Sequence, residues 1–233
     1  MTARVLCARA SGGEPRSTRG ARRGENVKRD AWADAVKKVL ETSRRSDPAR
    51  ALVHPALGDI AVVFCTPKIA SNVGAFARSC AAFECVDLRL VTPACDAGSR
   101  AALSAAKGAQ GLVRVASSSG TFDTLVEALV GCSSAVAFHP WPSGDVDGAV
   151  TFDDLEALAD AFPGGDVEDG RKLALVFGNE ADGLTKEEIA ACDAVCTIPM
   201  GRLVESLSVT HAGVIALSRY YERRVRAGVV ENR

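Results

Sequence analysis

From Gly58 onward the chain alternates between short apolar runs and longer segments whose apolar residues recur at helical spacing. Strand-like runs fall at 60–65, 86–91, 112–115, 134–138, 173–177 and 194–198. Helix-like segments fall at about 71–83, 99–106, 121–130, 151–161, 185–191 and 205–226. A run such as Ile60-Ala-Val-Val-Phe-Cys65 has no polar face, so both of its sides must be covered. The alternation predicts an α/β fold, a mostly parallel sheet with flanking helices. Two Gly/Pro-rich stretches, 140–148 and 163–170, read as loops.

The 233 residues suffice for one well-buried α/β domain with an extension. Residues 26–57 read as an N-terminal helical extension, with Val27, Trp32, Val36, Val39 and Leu40 forming a partial stripe that Asp47-Pro48 ends. The main domain is expected over 58–226, with 227–233 as a tail. The first 24 residues carry Arg4, Arg9, Arg16, Arg19, Arg22 and Arg23 against Glu14 alone. Residues 1–25 thus read as an organellar transit peptide, chloroplast ahead of mitochondrion. A disordered basic tail on a cytoplasmic protein is the alternative. No stretch approaches the roughly 18 apolar residues of a spanning helix, so no membrane partner is expected. Aromatic residues are 5% of the chain, too few for stacking platforms to dominate nucleic-acid binding. The eight cysteines form no CxxC pair and no Cys/His metal spacing. Cys65, Cys80, Cys85, Cys132, Cys192 and Cys196 lie in or beside apolar segments and read as small reduced hydrophobes, with no metal site expected.

Three segments carry candidate chemistry. The first is Asn72-Val-Gly-Ala-Phe-Ala-Arg78-Ser-Cys80, directly after the strand-like run 60–65. Ser71 or Asn72 is expected to cap a helix whose free N–H groups favour anionic or polar ligands. Gly74 permits close approach in the first turn, and Arg78 adds a permanent cation. At about 100° per residue, Val73, Phe76, Ala77 and Cys80 share one helix side, leaving Arg78 off it. The second is Phe177-Gly178-Asn-Glu180, a strand end followed by a carboxylate, where open α/β sheets place ligands. Glu180 reads equally as a ligand-side charge or a solvated helix-start acid. The third runs from Ile198-Pro-Met200 through Glu205-Ser206-Leu207-Ser208 into a long helix, with Ser206 or Glu205 as its cap. His211 falls on an apolar line with Leu207, Val214, Leu217 and Tyr221, and reads as a packed core or interface residue rather than a catalytic base. Arg219, Arg223, Arg224 and Arg226 form a basic helix end that either neutralises phosphates or complements the helix dipole.

In this order, N-x-G-A-x-A-R-S at Asn72–Ser79, F-G-x-E-x-x-G-L at Phe177–Leu184, and Ile198-Pro-Met with Glu205-Ser-Leu resemble the SpoU/TrmH family of SPOUT RNA methyltransferases. Leu88-x-Leu-Val-Thr-Pro93 and Ala105-Ala-Lys-Gly-Ala109 are most similar to its TrmJ-like branch, which modifies the anticodon loop of tRNA. The resemblance implies S-adenosylmethionine-dependent 2′-O-ribose methylation of structured RNA, tRNA ahead of rRNA, with no DNA expected. A non-catalytic RNA-binding relative is the competing class. It also implies a C-terminal trefoil knot, a homodimer with shared active sites, and a methyl donor held by Phe138, His139, Pro140, Gly178, Ile198, Met200, Ser206 and Leu207. Asn72, Arg78, Glu180 and Ser208 are the implied catalytic set, with Arg78 clamping phosphate and polarising the 2′-hydroxyl, and Glu180 orienting Arg78. Two positions depart from the family pattern. Ser208 stands where Asn is usual, and Glu84 where Gly is usual, so the first helix is expected to end without a left-handed residue.

Overall fold

The computed structural model describes residues 55–140, 150–165 and 170–229. The expectations for residues 1–54, for 141–148 and 166–169 in the two expected loops, and for 230–233 of the tail lie outside them. Seven strands form one sheet: β1 (Ile60–Cys65), β2 (Asp87–Val91), β3 (Thr121–Phe122), β4 (Cys132–Phe138), β5 (Val150–Phe152), β6 (Lys172–Phe177) and β7 (Ala194–Cys196). Their order is β3-β2-β1-β6-β4-β7-β5, with every pairing between them parallel. β6 therefore inserts between β1 and β4, and β7 between β4 and β5. The described helices are α1 (Ala70–Ala82), α2 (Arg100–Ala105), α3 (Gln110–Ser118), α4 (Leu125–Ala128), α5 (Leu155–Ala161), α6 (Lys186–Ala190) and α7 (Val209–Arg226).

The two-residue period of β1 sorts its side chains. Ile60, Val62 and Phe64 join the core beneath α1, α2, α3, α5 and α7, while Val63 and Cys65 join the one beneath α4 and α6. Four rings run through the larger core: Phe64–Phe76, Phe76–Phe177 and Phe138–Phe177, with centroids 5.2, 5.2 and 4.6 Å apart. They tie α1 to the ends of β6 and β4. At the opposite, amino-terminal end of the strands, Asp87 is fully buried. Its carboxylate accepts from Arg89 Nε (3.0 Å) and Nη2 (2.8 Å) and pairs with Lys172 Nζ at 2.9 Å. Arg89 also donates to the carbonyls of Ala128 and Val130, fastening the end of α4 to β2.

Several elements differ from the sequence expectation. Residues 112–115 are helical, within α3, where Leu112, Val113, Val115 and Ala116 are buried and Arg114 is exposed. Four residues of Leu-Val-Arg-Val fit either period, and the flanking residues extend the helical one. The strand in this region is instead the two-residue β3, which takes up the start of the expected 121–130 helix. Likewise Val150–Phe152 is a strand, and Asp154 caps α5, its side chain accepting from Glu156 N at 2.9 Å. The last helix starts at Val209 rather than 205. Its buried line is Gly213, Ala216, Leu217 and Tyr220, and His211 is exposed, which removes the core reading of that residue. Glu84 ends α1 in the left-handed region after all, at φ 58°, while its carboxylate accepts from Ala56 N at 3.0 Å.

Candidate functional site

The connections leaving β4, β6 and β7 meet at the carboxyl ends of those strands around a solvent-open cleft. All eight residues expected to hold a cofactor line it: Phe138 at the end of β4 with His139 and Pro140 after it, Gly178 after β6, and Ile198, Met200, Ser206 and Leu207 after β7. Glu180 lines it too. Of the other lining residues, Phe177, Asn179, Ala181, Asp182 and Gly183 lie in the second motif segment around Gly178, and Cys196, Val209 and Ala212 were missed. The alternation carried a usable signal for Phe177 and Cys196, since each is the last residue of a strand that delivers a loop here.

The loop after β6 is built from its own backbone. Asn179 and Gly183 exchange two N–H···O bonds of 3.2 Å, and Asn179 Oδ1 accepts from Ala181 N (2.9 Å) and Asp182 N (2.8 Å). Gly183 closes the turn at φ 72°. A Cβ at Gly178 would collide with the backbone of Gly183 and Leu184, so the missing side chain makes room for this loop. Gly74 is similar: a Cβ there would collide with the Ala102 carbonyl. The close approach expected of a ligand is thus made by helix α2.

Glu180 occupies a position the sequence reading did not foresee. Its Oε2 accepts from Lys68 N (2.8 Å), and its Oε1 from Ile69 N (3.1 Å) and Asn72 Nδ2 (3.0 Å). Ile69, not Ser71 or Asn72, is the N-cap of α1 and supplies no side-chain cap. The cap comes instead from 111 positions away in sequence, because parallel β1 and β6 are neighbours and end side by side. A carboxylate at a helix start also complements the helix dipole. Beside it, Lys68 pairs with Asp182, and that hydrogen bond together with the lysine charge holds the Asp182 carboxyl below the usual range. Thr66 and Thr92, at the ends of β1 and β2, both adopt positive φ (47° and 38°), and their hydroxyls lie 3.2 Å apart. Such conformations cost β-branched residues about 1–3 kcal/mol each and mark a backbone set by its surroundings.

The expected Glu180–Arg78 contact is absent. Arg78 is exposed on α1, about 9 Å along the helix axis from Asn72 at 1.5 Å per residue, and has no side-chain partner among the described residues. Its place off the side formed by Val73, Phe76, Ala77 and Cys80 agrees with the helical period. Ser208 is the N-cap of α7 in place of Ser206 or Glu205. Its hydroxyl lies 2.8 Å from that of Thr210, and Ser208 is outside the cleft lining while Leu207 and Val209 are within it. The basic end of α7 is neutralised within the molecule. Arg219 and Arg223 pair with Glu156 (2.7 and 3.3 Å), Arg223 with Asp160, Arg224 with Asp59, and Arg226 with Glu222. Burial, then Asp154 and Asp153, push the Cys196 thiol up to about 12, which suits a wall rather than a nucleophile.

Comparison with known proteins places this arrangement. The tRNA (cytidine-2′-O-)-methyltransferase TrmJ of Methanocaldococcus jannaschii is 29% identical over 167 residues, covering 72% of this chain and 69% of that protein. The tRNA (cytidine/uridine-2′-O-)-methyltransferase TrmJ of Escherichia coli K12 is 31% identical over 162 residues, 67% of this chain. The match spans only 60% of that protein's own length. A structure solved for insights into the 2-OH methylation of C/U34 on tRNA superposes with a TM-score of 0.52 and 25% identity, covering 72% of this chain and 97% of the other. The model of the SpoU rRNA Methylase family matches residues 59–218, a span that includes all three motif segments, and the chain belongs to that family.

Proposed function

We propose that the protein is an S-adenosylmethionine-dependent ribose 2′-O-methyltransferase acting on tRNA, at a nucleotide of the anticodon loop. The observation that carries this is the junction at Glu180, which joins the α1 segment bearing Asn72 and Arg78 to the cleft built by the other two family segments. The cleft suits the donor. Phe138, Phe177, Ile198 and Leu207 offer apolar wall, and Glu180 and Asp182 place carboxylates on a site for a cationic ligand. When bound, the donor supplies an electrophilic methyl group. The chain's own residues hold the acceptor: Arg78, permanently charged, clamps a phosphate and polarises the 2′-hydroxyl. Asn72, fixed by Glu180, places the start of α1 relative to the cleft. The ribose hydroxyl would lose its proton to solvent as its oxygen takes the methyl group and the donor's sulfur gives it up, so the donor's positive charge disappears locally and orientation away from bulk water is the main contribution.

Cofactor binding by calorimetry and transfer of tritiated methyl to unfractionated tRNA test the reading. Binding without transfer to any RNA would leave a non-catalytic relative, and no binding would refute both. Single-turnover transfer by Arg78→Lys, with RNA affinity measured separately, tests the guanidinium. Full retained chemistry would refute its specific role. The family's knot and dimer belong to the same proposal. Leu203, Val204, Ile69 and Ile215 are exposed apolar residues on the elements that bear the site, and a second copy would cover them. Sedimentation at micromolar concentration showing only monomer would refute the dimer. The arginine-rich first 25 residues are proposed to direct organellar import, chloroplast first. Cytosolic fluorescence of a residue 1–30 reporter fusion would refute that.

A further inference from the structure

Apart from Lys68, which pairs with Asp182, the cations named above and below divide by whether an internal acid holds them. Those on α7 and at the strand starts are consumed by internal pairs with Glu156, Asp160, Asp59, Glu222 and Asp87. Arg78 on α1, Arg100 on α2, Lys107 in the α2–α3 turn and Arg114 on α3 are all exposed, and none has a side-chain partner among the described residues. Lys186 and Arg202 are also unpaired, but acids stand close by in sequence, at Glu187, Glu188 and Glu205.

The acids are distributed in the opposite sense. α1, α2 and α3 contain no Asp or Glu, whereas α4 carries Glu127, α5 Glu156 and Asp160, α6 Glu187 and Glu188, and α7 Glu222. Between positions 88 and 122 the one acid is Asp96, which is turned to its own loop, accepting from Gly98 N at 3.1 Å. The three acid-free helices pack on one another. At Gly74 the backbones of α1 and α2 meet directly, so Arg78 stands in fixed relation to Arg100 and Lys107. Four exposed, unpaired cations on three mutually packed, acid-free helices and the turn between two of them give this layer a positive balance.

We infer that the outer face of α2 and α3, through Arg100, Lys107 and Arg114, carries the phosphate backbone of the RNA substrate away from the cleft, and that the arginines of α7 do not. This rests on the RNA-methylating reading and extends it. The test is the salt dependence of unfractionated tRNA binding by the full chain, for wild type and for Arg100→Gln/Lys107→Gln/Arg114→Gln. Loss of three phosphate contacts lowers the slope of log affinity against log salt by about 2–3. Between ~50 and ~200 mM salt, the variant should then lose roughly 20–40-fold less affinity than wild type. Arg100→Lys/Arg114→Lys should keep the wild-type slope, and Arg219→Gln/Arg223→Gln should leave it unchanged. Circular dichroism and S-adenosylmethionine binding show whether each variant is folded. A folded, cofactor-binding triple variant with the wild-type slope overturns this inference alone. A wild-type protein that neither binds nor methylates tRNA overturns the functional reading with it.

Discussion

Glu180→Gln isolates what the cross-chain cap contributes. In the wild type, Oε1 serves Ile69 N and Asn72 Nδ2, and Oε2 serves Lys68 N. Glutamine keeps one acceptor oxygen, enough for the first pair, and turns an NH₂ toward Lys68 N, donor against donor. One bond to a charged acceptor is lost, worth about 1.5–3 kcal/mol, with the lower end applying because water reaches Lys68 N. The charge at the α1 start is lost as well, a further ~0.3–1 kcal/mol. The sum is about 2 kcal/mol, or roughly 4–8 °C in Tm for a domain of this size. Urea denaturation of wild type, Glu180→Gln, Asn72→Ala and the double variant forms a thermodynamic cycle. The coupling between Asn72 and Glu180 should be about 1 kcal/mol. Methyl transfer should fall in Glu180→Gln because the cap sets the acceptor side, and cofactor affinity should fall as well because the same carboxylate lines the cleft. Unchanged stability together with zero coupling would refute the reasoning.

Glu84→Gly exchanges a left-handed glutamate for a residue at ease there but loses the bond to Ala56 N, so its stability should stay within about 1 kcal/mol of wild type. Glu84→Val should cost at least ~2 kcal/mol by urea titration. Burial opposes the Asp87 charge, but Arg89 and Lys172 outweigh it and hold the carboxyl below its usual range. That stabilisation is complete above the unfolded carboxylate value of about 3.9 and is lost as pH falls through the lower folded value. Asp87→Asn should cost about 3–5 kcal/mol at neutral pH and flatten the acid limb of stability against pH. With thiols at about 12, raised chiefly by burial, Cys192 and Cys196 should alkylate at pH 8 about three orders of magnitude more slowly than a free thiol, as read by mass spectrometry.

The sheet class was legible from local signals, and the cleft lining from the resemblance of the three motif segments to a known family, with the strand end at Gly178 as its local support. Apolar runs mark the strands, and loops after strands are where a parallel sheet places ligands. What escaped the sequence depended on which strands became neighbours. Nothing near Asn72 says that its helix is capped by Glu180, since that follows from β6 pairing with β1. The α7 arginines looked available because their partners Glu156, Asp160 and Asp59 are distant in sequence. The run at 112–115 was too short for its period to decide, and only the whole segment from Gln110 to Ser118, with Ala116 buried as well, shows the helical one.

The position of β6 bears on how the chain folds as it is made. β1 and β4 leave a gap that only residues 172–177 fill. Until that segment emerges from the ribosome, two apolar strands wait with unpaired edges, and completion of the sheet depends on contacts more than a hundred residues apart in β1 and β6. Synthesis at about 5–20 residues per second makes that wait several seconds long. The nascent chain should therefore be more exposed to aggregation than the finished protein, and a stall between β4 and β6 should be the point at which chaperones matter most.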